Sequence, residues 1–343
     1  MKNNYKVLFV ILLVLAVLTY FVVSHKKAST SHENDSVFLV PQLQDKINDV
    51  DSIKISKNAR SVTLSKDSGS WQIAEEQGYL ADANKVASLL LDLRKFKLKE
   101  RKTSNPENYS HLSLTDSGEK AATKIEIYHD KEAFAVIYLG KQSQKGQGTY
   151  VRKEGDKQSW LTEGTINVNL DSKNWIVNSI LDVASQSIKS VKFKPSDGKA
   201  FSINKITPKD TEFVLQGLEQ GLQVKSGVDI SSFANGLQNL NIESASKISE
   251  RGEMQATEEI DYQLFSGLIY KLSLYEKEDK KWLTVQLQND STASAFEKQL
   301  QNWLFVIPKF KYDALNKKLA DITEKAVSEK PETKVSSEIK SEK

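Results

Sequence analysis

The chain has 343 residues, with 48 Lys and Arg against 45 Asp and Glu, four His and no Cys. A net charge of +3, dispersed along the whole length, gives no long-range field of the kind that recruits a polyanion, so no nucleic-acid partner is expected. The missing cysteines exclude disulfide staples, thiol catalysis and a lipoprotein attachment site; thirteen Phe, eleven Tyr and five Trp exclude a disordered stalk.

The first element is the run from Val7 to Val23, which holds no charge, no Pro and no Gly. Its length lies at the short end of what spans a hydrocarbon core of about 30 Å as a helix. Tyr5 and Tyr20 stand near its ends, and Lys2, Lys6, Lys26 and Lys27 flank it. Rings suit the headgroup level, and lysines snorkel to water. A removable signal peptide would carry a shorter apolar run and a small-residue cleavage site. Here Ser24-His25-Lys26-Lys27 follows the run, and Ala28-Ser29-Thr30 comes too late. The reading is a cytoplasmic head at residues 1–6 and an uncleaved transmembrane anchor at residues 7–23. The bilayer is then a partner through residues 7–23. The bulk of the chain is extracytoplasmic, in a single-pass protein of a bacterial inner membrane. Residues 24–36 are polar throughout and read as a flexible tether; His25 and His32 fall there without further ligands nearby.

Beyond the tether, Val37–Pro41 and the amphipathic piece Leu43–Val50 open the ordered part. Ile53 and Ile55, then Val62 and Leu64, alternate with polar residues at a period of two, which suits half-buried strands. Asp67-Ser68-Gly69-Ser70 is a turn, and Trp71 and Ile73 continue on the next strand. Asp82 is placed to cap a helix whose face carries Val86, Leu89, Leu90, Leu93 and Phe96. Residues 100–122 read as loop. Strands follow at 124–129, 133–140, 149–153 and 159–161, and helical spacing returns over 170–183 at Trp175, Ile176, Ile180 and Leu181.

The pattern then recurs. Ile188–Phe193 resembles Val50–Ile55, and Phe201-Ser202-Ile203 takes the place of Val62-Thr63-Leu64. Asp82, Val86, Ala87, Leu90 and Leu93 match Asp229, Phe233, Ala234, Leu237 and Leu240 at constant spacing. Ile125–Tyr128 is matched with Leu272–Tyr275, and Trp160-Leu161 with Trp303-Leu304. So long a period excludes a solenoid. The expected fold class is α+β: an N-terminal transmembrane helix, then two related α+β domains formed by internal duplication, mainly antiparallel sheets each with packed helices. The first repeat covers 37–185 and the second 186–323. A closing helix is expected from Tyr312 to Ile322, and a disordered charged tail over 324–343.

No catalytic, cofactor-binding or metal-binding residue is assigned. The stretch Gly140–Gly148 lies between two strands and reads as a hairpin turn, since a phosphate loop needs a helix behind it. His111 and His129 lack a nucleophile motif, and His129 reads as a turn residue. Glu75, Glu76, Glu258, Glu259 and Asp261 read first as solvated carboxylates, although a spatial glycosidase pair is an alternative. Trp71, Trp282 and Trp303 read as core aromatics rather than a ligand platform.

The segment Phe38–Val50, the pieces Tyr138-Leu139-Gly140 and Gly148–Arg152, and the closing Ile307–Tyr312 resemble bacterial proteins of the domain-of-unknown-function family 4340. Val40 stands where Phe is common before Pro41. The resemblance implies a membrane-anchored protein associated with ABC transporter systems of the gliding-motility type, and it carries over no catalytic residues. The functional expectation is a non-enzymatic envelope protein with a binding or scaffolding role, accessory to an ABC-type complex and bound to an integral membrane partner. The alternatives are an envelope hydrolase with a spatially assembled carboxylate or Ser/His site, or a small-ligand binder using the cleft between the repeats.

Overall fold

The computed structural model describes residues 37–144 and 148–326. The expected head, span and tether at residues 1–36, with His25 and His32, lie outside the described residues, as does the tail beyond Ala326. The chain divides into two compact units, one from residues up to Ser61 plus Asn84–Leu170 and one from Val62–Ala83 plus residues from Asp171 onward.

The early strands are β1 (Ser52–Lys57), β2 (Arg60–Asp67), β3 (Ser70–Ile73), β4 (Tyr79–Leu80), β5 (Leu98–Arg101), β6 (Thr123–His129), β7 (Glu132–Gln142), β8 (Thr149–Lys153) and β9 (Ser159–Thr162). In the first unit, six of them run antiparallel in the order β1-β6-β7-β8-β9-β5. The alternation at Ile53 and Ile55 continues across the sheet at Ile125, Ile127, Ile137 and Val151, all buried. Helix α1 (Ala83–Lys95) turns Val86, Leu89, Leu90 and Leu93 inward, as its spacing dictates. Each such side chain contributes on the order of 1.5–3 kcal/mol by leaving water. The segment before β1 is tied to the end of this helix. Leu39 N–H donates to the Phe96 carbonyl at 2.7 Å, and Arg94 Nη2 donates to the Gln44 carbonyl at 3.1 Å.

In the second unit β2, β3 and β4 form an antiparallel meander. The later strands are β10 (Ser179–Leu181), β11 (Ile188–Pro195), β12 (Phe201–Asn204), β13 (Val214–Gln216), β14 (Leu222–Val224), β15 (Leu240–Asn241), β16 (Ser244–Lys247), β17 (Glu258–Leu264), β18 (Ile269–Lys277), β19 (Lys280–Gln288), β20 (Trp303–Val306) and β21 (Thr323–Lys325). Eight of them make an antiparallel sheet in the order β13-β12-β11-β17-β18-β19-β20-β16, while β10 pairs with β15 and β14 with β21. The path β11-β17-β18-β19-β20-β16 repeats the path β1-β6-β7-β8-β9-β5. In both, the strand that precedes the long meander in sequence returns to its far edge.

Several expectations are corrected. The α+β class with a transmembrane helix gives way to a mostly antiparallel β architecture. Among the described residues no helix is long and apolar enough to cross a membrane, and the expected span lies outside them. The inner-membrane, single-pass localisation that rested on that span is therefore withdrawn. Helices are short: after α1 the longest α-helix among the described residues is Lys309–Leu315, and the expected 312–322 helix breaks at Asn316. The segment behind Asp229 is a 3-10 helix, Ile230–Leu237. Its Ser231, Ser232, Asn235 and Gly236 are poor helix formers, whereas α1 is rich in Ala, Leu and Lys. Residues 170–183 are not helical: they hold a 3-10 turn at Ser172–Asn174 and the short β10. The shared sheet path gives β17, not β18, the place that β6 holds, so the match of Ile125–Tyr128 with Leu272–Tyr275 is one strand out of step. Glu324 and Lys325, expected in the tail, belong to β21.

Candidate functional site

Strands β17, β18 and β19 turn alternate residues to opposite faces of the sheet. Ile260, Tyr262, Leu272, Leu274, Leu283 and Val285 are buried in the core. Glu259, Ser273 and Thr284 therefore share the opposite face, and the register sets Glu259 across from Ser273 and Ser273 across from Thr284. The connection from β16 to β17, residues 248–257, passes over this outer face. It encloses a cleft of about 390 Å³ whose walls are Ile248, Arg251 and Met254 and whose floor is Ser273, Tyr275 and Gln286.

Local chemistry fixes the wall. Gly252 has φ 53° and ψ −132°, a backbone state open to glycine alone, and it lets the connection reverse after the 3-10 turn Ile248–Arg251. Gln77, on the turn before β4, anchors that reversal from the side. Its Oε1 accepts from Lys247 N–H at 3.0 Å, and its Nε2 donates to Glu250. Tyr275 is buried, with its hydroxyl 3.4 Å from Thr284 Oγ1. The Arg251 guanidinium lies 5.8 Å from the Tyr275 ring centroid, within range of an attractive cation–ring contact. The cleft thus offers a cation, the carboxylates of Glu253 and Glu259, neutral hydroxyl and amide groups, and one aromatic surface. Such a set suits hydrogen-bonded recognition of a polar chain with an apolar contact at its centre.

The residues singled out in the sequence take up separate positions. Glu259 alone among the five carboxylates lines the cleft. Its neighbour Glu258 faces inward and is fully buried, with no side-chain hydrogen-bond partner. Burial pushes that carboxyl from the ordinary 4.5 up to about 8. Asp261 pairs with Lys194 at 2.6 Å. Glu75 accepts from Thr63 N–H at 2.7 Å, and Glu76, buried, accepts from Ser172 Oγ at 2.5 Å. These are structural contacts rather than solvated positions, which corrects the surface reading for Glu76 and Glu258. Trp303 is buried edge-on to Tyr79 at 4.9 Å, with Lys247 Nζ 3.9 Å from its ring. Gly140 lies within β7 and Gly148 directly before β8; in the connection between those strands residues 145–147 lie outside the described residues. Arg251, Ser273, Tyr275 and Gln286 were not anticipated. The available signal was Ser273 and Thr284, small polar residues each set between apolar neighbours.

The family described as Domain of unknown function (DUF4340) matches residues 71–266. The chain belongs to this family. The family match takes in the cleft wall at residues 248–256 and Glu259, and it stops before β18 and β19, which supply the floor. No curated protein and no solved structure matches the chain.

Proposed function

We propose that the chain is a non-catalytic binding protein with a scaffolding role, and that the cleft of its second unit holds a short segment of a partner protein. One contrast carries this reading. In the first unit the connection from β5 to β6, residues 102–122, roofs the outer sheet face with its own side chains. Tyr109, Leu114 and Ala122 pack there with Tyr138, helped by Leu112, Val136 and Tyr150. Arg152 completes that roof, its guanidinium 3.6 Å from the Tyr138 ring centroid and its Nε donating to the Leu114 carbonyl at 3.3 Å. In the second unit the corresponding connection is much shorter, and the same face is left as a cleft. A segment from another protein would supply the missing roof. The volume suits a few residues, not a domain. The family resemblance names the partner to try first, a component of an ABC-type transport system to which this chain is accessory.

A photo-crosslinking residue at Gln286, used in the native host with mass-spectrometric identification, tests the reading. The expected result is one dominant protein partner. Its yield should fall about tenfold, the equivalent of ~1.4 kcal/mol, when Ser273→Arg fills the cleft without changing the melting temperature. Equal yields from the open and the filled cleft would remove this site from the proposal.

A further inference from the structure

The pairing of β1 with β6 sets Ser52 across from Tyr128 in the first unit. One residue beyond that pair stand Asp51 and His129, and Asp130 follows on the turn to β7. Asp51, His129 and Asp130 each present a ligand-type atom, and these atoms lie within 4.8 Å of one another. His129 Nδ1 is 2.8 Å from the Asp49 carbonyl oxygen. A carbonyl oxygen only accepts, so Nδ1 carries the ring proton and donates it there. Nε2 then faces the Asp130 carboxylate across 3.4 Å. In a neutral ring both of those atoms are acceptors, so a cation lying between them would satisfy both. Asp51 Oδ2 accepts from Asp130 N–H at 2.6 Å, which fixes the turn and holds the second carboxylate beside the first.

The dimensions discriminate further. Bonds of about 2.0–2.2 Å from a metal to nitrogen and oxygen place tetrahedral ligand atoms roughly 3.4 Å apart. That is the separation of His129 Nε2 and Asp130 Oδ2. A histidine that binds metal through one nitrogen typically gives its other N–H to a carbonyl or carboxylate, as His129 does. One imidazole nitrogen and two carboxylate oxygens suit a borderline divalent ion, whereas magnesium and calcium ask for six or more oxygens.

We propose that Asp51, His129 and Asp130 form a binding site for a divalent transition-metal ion such as zinc, with water completing its coordination. All three residues belong to the first unit. Three ligands at an exposed turn give modest affinity, so loading follows the free metal concentration.

The full chain, carrying no histidine tag and stripped with chelator, is titrated with Zn²⁺ by calorimetry and with Co²⁺ by visible absorption. One saturable equivalent is expected, with the cobalt bands of a nitrogen–oxygen site. His129→Ala should abolish that equivalent. Asp51→Asn should weaken it by about tenfold or more, while its amide oxygen still accepts from Asp130 N–H. Should His129→Ala fold poorly, the Asp51→Asn comparison and the zinc response of the His129 ring ¹⁵N shifts decide. No saturable binding, or binding unchanged in the variants, would overturn the site.

Discussion

Gly236→Ala is expected to destabilise the second unit by about 3 kcal/mol, toward the upper end of what overpacking a core costs. An added Cβ would lie 1.8 Å from Tyr262 Oη, 2.7 Å from Tyr262 Cζ and 2.8 Å from Leu315 Cδ2. Tyr262 has little freedom to retreat. Its side chain is fully buried on β17, and its hydroxyl donates to the Phe233 carbonyl at 3.3 Å within the same 3-10 segment. The glycine therefore allows Ile230–Leu237 to lie directly against the sheet, and the segment's departure from an α-helix goes with that approach. Tyr262→Phe alone removes one neutral hydrogen bond and should cost about 1 kcal/mol. In the double variant the closest clash is gone but the ring carbon still interferes. Part of the Gly236→Ala loss should return, giving a coupling energy of about 1 kcal/mol in a double-mutant cycle. Chemical denaturation of the four proteins measures it. Strict additivity would mean that the Tyr262 hydroxyl does not set the approach.

The same contact illustrates which parts of the structure are legible along the chain and which are not. Period-two alternation at Ile53/Ile55 and Val62/Leu64 is a local signal, and each of those residues is buried on a strand. The α1 face is equally local, four inward residues set by the turn of one helix. Helix type behind Asp229 was misread because spacing alone does not separate α from 3-10 geometry; Asp229 does accept from Ser231 N–H at 2.9 Å, yet the residues after it resist an α-helix. Strand correspondence failed at Leu272–Tyr275 for a related reason. An Ile-x-Ile-Tyr pattern and a Leu-x-Leu-Tyr pattern look alike on any strand, and only the order within the sheet separates β17 from β18. The cleft was illegible because its character comes from what residues 248–257 leave uncovered. Asp51 meets His129 through strand pairing across a long sequence separation, and no spacing rule reports that. Glu258 and Glu259 are neighbours in sequence, and the pleat alone sends one into the core and the other to the cleft.

Stability should fall as pH rises from about 4.5 to about 8, and Glu258→Gln should largely remove that dependence. Glu258 is fully buried, and that burial raises its pKa to about 8 against the opposing pull of the Lys194 backbone N–H. The charges around it come from several elements. Asp197, after β11, opposes ionisation, whereas Lys318, before the last short helix, favours it. Those two pair with each other at 2.6 Å, which leaves little net field at Glu258. The hydroxyls nearby are engaged elsewhere: Tyr262 with Phe233, and Tyr312 with Thr257 Oγ1 at 2.7 Å. The sign follows from proton binding. In the folded state the carboxyl keeps its proton up to about pH 8, while the unfolded chain releases it near 4.5. Between those values the folded state binds more protons, so each added pH unit lowers stability by up to about 1.4 kcal/mol. Below the unfolded value this contribution is fully present; above about 8 both states are ionised and the loss levels off. Glutamine keeps the shape and cannot ionise. The variant should therefore match the parent near pH 4.5 and exceed it by a few kcal/mol at pH 8. Urea denaturation of both proteins at matched ionic strength across that range measures the difference. A gap that stays constant from pH 5 to 8 would show that Glu258 is already ionised in the fold.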